Sequence, residues 1–381
     1  MIVRVIEDLG EFLSLEGAWD ALMESMEHPT PFLTHTWVRL WWGSFSGGND
    51  LHILTVWHDS GKLLGILPLQ RTTCRVMKIF TLPCLHSLTN GHSVMFDLIC
   101  RPEDRDAVLG AVKAHLLNNS RQWGVVVLGY VPHDFGTVEA VKQQMAGDGL
   151  VVFSEPRDGS YYIGIDGDFA RYYSGLNKNF RDNRKNIDNR MSRAGGVDFE
   201  VLRDYSPEPM HQLYRLEDTG WKKSNGSSIA SSVELVSFYD RVAEAFAAKK
   251  QFVLTTVRLA NKPVASIFGL VFKDTFYFLK VGANYTDPVY SKLSPGQVVL
   301  HRLIEYCFAA GLKRFDFYGP CYGYEAHWTK QINRRHTIMI FNRCSIASNL
   351  CVVGKQVLFF IMGLLKKNNF GAGVLPKAVT K

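Results

Sequence analysis

The segment YSKLSPGQVVLHRLIEYCFAAGLKRFDFYGP, residues 290–320, predicts a turn, a helix and a strand in direct succession. Ser294 is a favourable N-cap residue, and Pro295 suits the first position of a helix. Apolar residues then recur with helical spacing as far as Gly311, a residue typical of helix ends. The strand KRFDFYG follows at residues 313–319.

The start of this predicted helix has the features of a phosphate-binding site. The first turn of a helix presents free N–H groups and a partial positive charge. Gly296 has no side chain, so a ligand can approach the backbone closely, and Lys280 and Lys292 precede the helix. Lys292, Ser294, Pro295 and Gly296 are therefore candidates for binding an anionic group. A plain capped helix is the structural alternative, because Ser-Pro is common at helix starts.

The strands around this helix have counterparts in the first half of the chain. LTVWHDSGKLLGILPL (54–69) aligns loosely with TTVRLANKPVASIFGL (255–270), and each predicts two strands around a short turn. A helix and a strand follow in both halves, so we infer a duplication that gives two α/β units with mixed sheets. The first helix begins with Arg-Pro-Glu-Asp. Its acidic residues would repel a phosphate, so only the second unit is expected to bind an anion.

The composition is that of an ordinary globular protein. Of 381 residues, 46% are hydrophobic and 21% charged, and this length accommodates two domains. The formal charge of +7 permits an anionic ligand without requiring nucleic acid. The seven cysteines show no metal-ligand spacing, which favours reduced thiols, a cytoplasmic location and no metal. The start of the chain does not resemble a signal peptide, and no apolar run approaches the roughly 20 residues that span a bilayer.

A basic segment, LNKNFRDNRKNIDNRMSR (176–193), lies between the two halves. Four apolar residues share one helical face: Leu176, Phe180, Ile187 and Met191. Basic residues occupy the rest of the surface, as in a solvated helix that links two domains. A basic rim over an anionic ligand would show the same pattern. In that case Arg181 and Lys185, one turn apart, are candidates for contacting the ligand.

Groups suited to acid–base chemistry gather in DFYGPCYGYEAHW, residues 316–328. Asp316 and Tyr318 end the predicted strand, and a loop containing glycine and proline follows, where functional residues are commonly placed. The loop adds five chemically active groups: Cys321, Tyr322, Tyr324, Glu325 and His327. Packing and backbone contacts are the alternative roles, and a covalent role for the cysteine is the least favoured.

Together these stretches resemble the GNAT acyltransferase superfamily, specifically its two-GNAT-domain CelD/BcsL-like group, which is related in fold to the Fem peptidyltransferases. The resemblance rests on the order and spacing of five segments: PFLTHTWVRLWWGSF (31–45), GKLLGILPL (61–69), the basic segment, YSKLSPGQVVLHRLIEY (290–306) and GLKRFDFYGPCYGYEAHW (311–328). It implies tandem GNAT-like domains and an acyl donor, typically acyl-CoA, lying against the helix that begins at Pro295.

The resemblance also implies where the donor binds. In this superfamily the strand before that helix diverges from the next one, and its backbone contacts the donor arm and the thioester oxygen. Here that strand is FLKVGANY, which makes Val281, Gly282 and Ala283 the donor-binding positions. A backbone N–H at the thioester oxygen would act as an oxyanion hole.

For the catalytic base, Asp316 and Glu325 are the first candidates. A carboxylate partly desolvated among the neighbouring tyrosines would have a raised pKa suited to accepting a proton from an amine. His327 is the reserve base, and Tyr324 belongs to the same catalytic set. The sequence departs from the family pattern at Glu325, where many relatives carry lysine. This change favours a role for Glu325 as the general base. It also leaves open whether the acceptor belongs to the class that is usual in the family.

A second polar cluster lies in LHSLTNGHSVMFD, residues 85–97. A turn before a strand would explain it, and a contact with the acceptor across the domain boundary is the functional alternative. The cluster lacks a partner at ligand spacing, which argues against a metal. His92 from this cluster therefore joins four residues from the segments above as predicted substrate contacts: Arg181, Lys185, Tyr318 and Cys321.

The expected layout is an amino-terminal GNAT-like domain (1–165), a basic connecting helix (166–197), a carboxyl-terminal GNAT-like domain with the donor site (198–345) and an amphipathic tail (346–381). The tail is apolar, is interrupted by Gly354 and Lys355 and then carries two further lysines. Docking on the second domain is the preferred interpretation of the tail. Lying on an anionic membrane surface is the alternative, and it would suit an enzyme that acts on envelope precursors.

Three functions remain open from the sequence. Transfer of an acyl group from acyl-CoA to an amine, such as an amino sugar, an amino acid or an envelope precursor, is preferred. A Fem-like transfer from aminoacyl-tRNA would use the basic helix to hold RNA phosphates. A non-catalytic module that binds a nucleotide-bearing ligand is the third.

Overall fold

The computed structural model describes residues 1–195, 197–219, 223 and 226–369. Its strands are, in chain order, β1 (Ile2–Ile6), β2 (Asp50–Trp57), β3 (Leu63–Val76), β4 (Phe80–Ser87), β5 (Ile99–Cys100), β6 (Val125–Pro132), β7 (Leu150–Gly164), β8 (Val197–Leu202), β9 (Phe252–Leu259), β10 (Lys262–Phe272), β11 (Thr275–Ala283), β12 (Arg314–Asp316) and β13 (Ile332–Asn342).

The helices of the described residues lie on both sides of these strands. They are α1 (Leu9–Ser14), α2 (Glu16–Glu24), α3 (His35–Phe45), α4 (Arg105–Asn118), α5 (Thr137–Met145), α6 (Phe169–Ser174), α7 (Lys178–Arg193), α8 (Pro207–Glu217), α9 (Val233–Ala248), α10 (Pro288–Ser291), α11 (Pro295–Ala309) and α12 (Ile346–Asn369).

The two halves repeat one arrangement, as the sequence predicts. In the first, β2, β3 and β4 pair antiparallel, α4 follows, and β6 returns parallel to β4. In the second, β9, β10 and β11 pair antiparallel, α11 follows, and β12 returns parallel to β11. The mixed α/β fold with tandem GNAT-like units is therefore confirmed. A helical crossover is the usual way to join parallel strands, and this is what places α4 and α11 on the sheet.

The two units share one continuous sheet with the order β1-β2-β3-β4-β6-β13-β7-β12-β11-β10-β9-β8. The long strand β7 makes this possible, because its first part pairs with β13 and its last part with β12. Strand β13, although last in the sequence, lies between β6 and β7. The interface between the units thus consists of backbone hydrogen bonds as well as side-chain packing.

Aromatic side chains of α3 contribute to the core between the units, as their helical spacing suggests. Trp37 and Trp41 are buried, and Trp37 packs edge-on against Phe238 of α9. Phe32 stacks on Tyr318 of the second unit with ring centroids 3.8 Å apart. Burying large aromatic surfaces of this kind contributes roughly 1.5–3 kcal/mol per side chain. The two units are therefore held in a fixed relation at the site described below.

The connecting helix α7 places its apolar residues Ile187 and Met191 in the core, as predicted. Arg184 differs from the expectation that the basic residues face outward, since it is only 1% exposed. It lies 3.7 Å from Asp188, one turn away on the same helix. The helical position of Arg184, three residues before Ile187, brings it onto the buried face.

The tail helix α12 docks through its first turns. Ser348 donates a hydrogen bond to the carbonyl of Gly124, Cys351 and Val352 are buried, and Lys355 contacts Glu155. These contacts lie on β4, β6, β7 and β13 rather than on the second unit alone. Residues 370–381 of the predicted tail lie outside the described residues. Within the described part of the chain, no helix combines the length and apolar character needed to cross a membrane.

Candidate active site

The site is built where two parallel strands diverge. Strands β11 and β12 are in register only from Thr275 to Tyr277 opposite Arg314 to Asp316. From Phe278 to Ala283 that edge of β11 pairs with no strand of the described residues. The chain after β12 turns away sharply, because Tyr318 adopts a left-handed conformation with φ of 57°. A gap therefore opens between β11 and the loop that follows β12.

This gap is a cavity of about 530 Å³. Strand β11 forms one wall, and the loop from Phe317 to Glu325 forms the opposite wall. The end of α8 with Glu217 forms a third wall, while Tyr239 of α9 and His92 of the first unit form the fourth. The volume is within the range of small-molecule sites, and most of the lining is apolar with a few polar groups. Both units are therefore needed to build the cavity.

Glu325 supplies a buried carboxylate to this cavity. It is 2% exposed, and its two oxygens accept the N–H of Tyr322 at 3.3 and 3.1 Å. Burial raises the pKa of Glu325, and the backbone donors around it oppose that rise. Tyr324, next to it, also lines the cavity, and burial raises the pKa of its phenol. The pair therefore combines a carboxylate suited to accept a proton with a phenol that stays protonated.

Asp316 has a different environment. It is 1% exposed and does not line the cavity. One carboxylate oxygen accepts hydrogen bonds from Ser160 at 3.2 Å and from the Tyr318 N–H at 2.8 Å. The other accepts from Asn333 at 2.7 Å and from Arg314 at 3.2 Å. With both oxygens occupied in this way, Asp316 holds the crossing of β7, β12 and β13, and the geometry favours Glu325 as the base.

A cationic corner lies at the end of the cavity that the first unit closes. The Lys280 amine is 5.0 Å from the ring centroid of Tyr239 and 3.5 Å from Nδ1 of His92. His92 Nδ1 is also 2.9 Å from the Tyr239 hydroxyl, and its ring stacks on Phe45. Burial and the nearby lysine lower the pKa of His92 to about 4, so its imidazole is neutral near pH 7. Burial also lowers the pKa of Lys280, while Glu217 opposes this change.

The start of α11 lies beside the cavity. Ser294 occupies the N-cap position, but its φ is 49° and its side chain accepts no helix N–H, so the predicted capping hydrogen bond is wrong. A hydrogen bond joins Tyr285 to the backbone of Gly296, and a Cβ at Gly296 would lie 2.5 Å from its hydroxyl oxygen. The Tyr285 hydroxyl thus occupies the space over the Gly296 backbone where the sequence predicts an anionic ligand. Lys292 is exposed on the preceding turn.

The other predicted donor positions lie on β11. Val281 and Ala283 line the cavity, whereas Gly282 faces α8. A Cβ at Gly282 would lie 2.6 Å from the Glu217 nitrogen and the Leu213 carbonyl oxygen, so the strand and helix pack there without room for a side chain. Divergence of β11 from its neighbour leaves its backbone facing the cavity, as the resemblance to GNAT proteins implies.

The structure separates the remaining predicted residues into two groups. Tyr318 and His92 line the cavity, and the Tyr318 hydroxyl accepts the Val94 N–H of the first unit at 3.1 Å. Four others lie outside the cavity lining: His327, Cys321, Arg181 and Lys185. His327 is exposed and stacks on Phe180 of α7. Burial raises the pKa of the Cys321 thiol, which opposes a nucleophilic role.

Sequence reasoning did not assign a role in the cavity to Glu217, Tyr239 or Tyr285. They come from separate elements, so no local motif joins them. Lys280 carried a usable signal, because it is the one charged residue of the strand TFYFLKVGA. A lysine in a strand of this kind is expected to have a specific partner. Among the described residues, no group of three or more His, Cys, Asp or Glu side chains is arranged to hold a metal ion.

Comparisons with known proteins agree with this geometry. Residues 178–327 match the family model described as an acetyltransferase (GNAT) domain. FemX is similar in structure, with a TM-score of 0.55, 12% identity, and coverage of 89% of this chain and 97% of that one. So is the C-terminal domain (DUF2156) of a putative lysylphosphatidylglycerol synthetase from Agrobacterium fabrum, with a TM-score of 0.50, 13% identity, and coverage of 91% and 97%.

A third similar structure is L-PGS from Bacillus licheniformis, with a TM-score of 0.50, 10% identity, and coverage of 92% of this chain and 96% of that one. Identities this low are evidence for the fold alone. No curated protein matched the chain in sequence.

Proposed function

Because this chain is an acyltransferase of the GNAT superfamily with two GNAT-like units, we propose that it transfers an acyl group from acyl-CoA directly to an amine acceptor. The observation that supports this most is the cavity between the diverging strands, with the buried carboxylate of Glu325 on one wall and the open edge of β11 on the other. An amine, a thioester and a base can meet in this space.

The proposed chemistry follows from these walls. The acceptor nitrogen attacks the thioester carbon, and Glu325 accepts the proton that the nitrogen loses. Backbone N–H groups on the open edge of β11 stabilise the oxyanion. The C–S bond then breaks, and Tyr324, which hydrogen-bonds to Glu325, passes a proton to the leaving thiolate as it takes up the proton that Glu325 accepted.

The donor would lie with its phosphates at the first turn of α11. The Tyr285 hydroxyl now occupies the space over Gly296, and because it is the far end of a side chain, a phosphate can displace it. Lys292 is exposed close to the same turn. The residues present therefore fit a CoA-like donor by the geometry of the helix start.

The acceptor would enter from the side of the first unit. Its contacts there are His92, Tyr239 and the Lys280 amine, opposite the carboxylate of Glu325. This arrangement suits an amine whose carbon skeleton carries hydroxyl or anionic groups, such as an amino sugar, an amino acid or an envelope precursor. The resemblance to the CelD/BcsL-like group supports the same class.

Calorimetric titration of CoA tests the donor assignment. Gly296→Val places a branched side chain where the phosphates would lie, so we expect at least a tenfold loss of affinity, about 1.4 kcal/mol. Gly110→Val is the matched control, because a Cβ at this exposed glycine of α4 meets nothing within 4 Å. Equal CoA affinity in the parent and Gly296→Val would remove the assignment of the phosphates to this turn.

Aminoacyl-tRNA is the second candidate donor, favoured by the exposed cations of α7. Lys178, Lys185, Arg190 and Arg193 are all exposed, and they form a surface that could hold RNA phosphates. Salt dependence separates the two donors, since binding to several phosphates weakens steeply as salt rises. Formation of an N-acylated product with either donor would exclude the third function, a non-catalytic binding module.

A further inference from the structure

An unusual concentration of exposed apolar side chains lies at the end of the molecule that carries α12. Ile346, Leu350, Val353 and Val357 are exposed by 81, 51, 54 and 51% respectively. Their spacing of four, three and four residues places them on one face of the helix. The opposite face holds Cys351, Val352 and Lys355, which are buried against the sheet. The helix is therefore docked along one side and presents an apolar stripe on the other.

The turn between β3 and β4 extends this stripe. Met77 and Ile79 are exposed by 39 and 74%. A Cβ at Gly354 would lie 2.7 Å from the sulfur of Met77, so the turn lies directly against the helix. Met77 therefore continues the stripe, and Ile79 lies two residues along the same turn. We call these six exposed apolar side chains the apolar patch. Patches of this kind on soluble proteins usually mark a binding surface.

The exposed charged residues on the β3–β4 turn and at the start of α12 have one sign. Arg75 and Lys78 are exposed on the β3–β4 turn, and Arg343 is exposed just before α12. Lys355 contacts Glu155, which neutralises that carboxylate. The sequence from residue 326 to residue 381 contains no aspartate or glutamate. An apolar stripe with exposed cations on the same turn and at the start of the same helix matches an anionic lipid surface.

We propose that the apolar patch, formed by one face of α12 and the β3–β4 turn, docks the protein onto the surface of an anionic lipid bilayer. The helix lies in the interface with its apolar face toward the acyl chains, and Arg75, Lys78 and Arg343 meet the headgroups. Neither element lines the catalytic cavity, so the molecule can transfer acyl groups while it is docked. The proposal is independent of which donor the cavity accepts.

Co-sedimentation of the full chain with vesicles tests this. Vesicles of phosphatidylcholine with 30% phosphatidylglycerol should bind the protein at low salt, and vesicles of phosphatidylcholine alone should bind it at least tenfold more weakly. Replacing three patch residues together, Ile79→Ser, Ile346→Ser and Val353→Ser, should lower partitioning onto the anionic vesicles at least tenfold. These side chains are exposed, so the triple variant is expected to keep its thermal midpoint.

The matched control is Val233→Ser, because Val233 is also 81% exposed but lies on α9 in the second unit. It should bind vesicles as the parent does. The proposal is overturned if the parent does not bind anionic vesicles, or if the triple variant binds as well as the parent. A third result also overturns it: the parent forms a dimer and does not bind vesicles, and the triple variant is a monomer. The patch would then be an interface between two copies of the chain.

Discussion

Each unit contains a pair of parallel strands that diverge, and comparing the two pairs shows how the same architecture gives a filled gap in one unit and an open gap in the other. In the first unit, β4 and β6 are in register only from Cys84 to His86 opposite Val125 to Val127. Beyond that point the chain from residue 88 to 98 folds into the gap, and the Phe96 N–H donates to the Tyr130 carbonyl. In the second unit the gap between β11 and β12 remains a cavity of about 530 Å³.

The helices at the two gaps differ in the same sense. The turn before α4 carries Glu103 and Asp104, whereas α11 begins with Pro-Gly after Ser294 and has no acidic residue in its first turn. A closed gap with an acidic helix start has no room and no attraction for a phosphorylated donor. Each unit also buries a carboxylic acid near its gap, Asp97 in the first and Glu325 in the second. These two acids give the comparison its sharpest tests.

The largest effect is expected at Glu325. Because Glu325→Gln removes the proposed base from the open gap, turnover should fall by roughly 10²–10⁴ and the acidic limb of the pH–rate profile should disappear. Asp97→Asn, which changes the corresponding acid of the closed gap, should leave turnover unchanged. Steady-state profiles of both variants measure this. If the turnover of Glu325→Gln stays within a few-fold of the parent, Glu325 is not the base. Catalysis would then depend on positioning an amine that binds in its neutral form.

Asp97 should instead control stability. Burial raises its pKa to about 7, from an ordinary value near 3.8. The folded state therefore holds the proton more tightly than the unfolded state, and the resulting stability is lost as the pH rises from about 4 to about 7. The loss can reach about 4 kcal/mol, since each pKa unit corresponds to about 1.4 kcal/mol.

Urea unfolding between pH 4 and pH 8 measures this loss. Asp97→Asn, whose amide stays neutral, should lose less stability than the parent over that interval. If the free energy of unfolding changes with pH equally in the two proteins, Asp97 ionises normally in the folded state and the prediction is wrong.

A smaller loss of stability is expected at Asp316. Asp316→Asn replaces a hydrogen-bond acceptor with a donor among groups that already donate, which should cost about 1–3 kcal/mol. Turnover per folded molecule should stay within a few-fold of the parent. Urea midpoints and initial rates together measure this. A loss of turnover as large as that expected for Glu325→Gln, at unchanged stability, would make Asp316 the base that the sequence first suggested.

The smallest effect is expected at Tyr285. Its hydroxyl occupies the α11 turn where the donor phosphates would lie, so Tyr285→Phe removes a competitor for the Gly296 backbone. One such hydrogen bond is worth about 0.5–1.5 kcal/mol, so CoA should bind roughly two- to tenfold more tightly. Calorimetry measures the change. Weaker binding would mean that the hydroxyl contacts the donor rather than displacing it.

The repeated unit, the helix from Pro295 and the cluster after β12 were all predictable, because each depends on local patterns. Strands of alternating apolar residues and a Ser-Pro-Gly turn carry their own signals. The tyrosines around Glu325 predicted partial desolvation of its carboxylate. No pattern in the sequence indicated that the side chain is almost fully buried. The left-handed backbone of Ser294 was also hidden, because serine gives no signal for a positive φ.

The exchange of strands between the units could not be predicted. Strand β13 pairs with β6 and β7, from which it is separated by most of the second unit. Such pairing depends on the edges that the folded units leave open, and no local sequence pattern specifies it. The corner formed by His92, Tyr239 and Lys280 has the same origin, since it brings together the loop after β4, helix α9 and strand β11.

The central claim is that only the open gap of the second unit receives the acyl donor, and a crystal structure of the protein with CoA tests it most directly. The phosphates are expected at the first turn of α11, over Gly296, and the thiol arm along Val281 and Ala283 toward Glu325. CoA bound between β4 and β6 of the first unit, or bound outside the gap between β11 and β12, would contradict it.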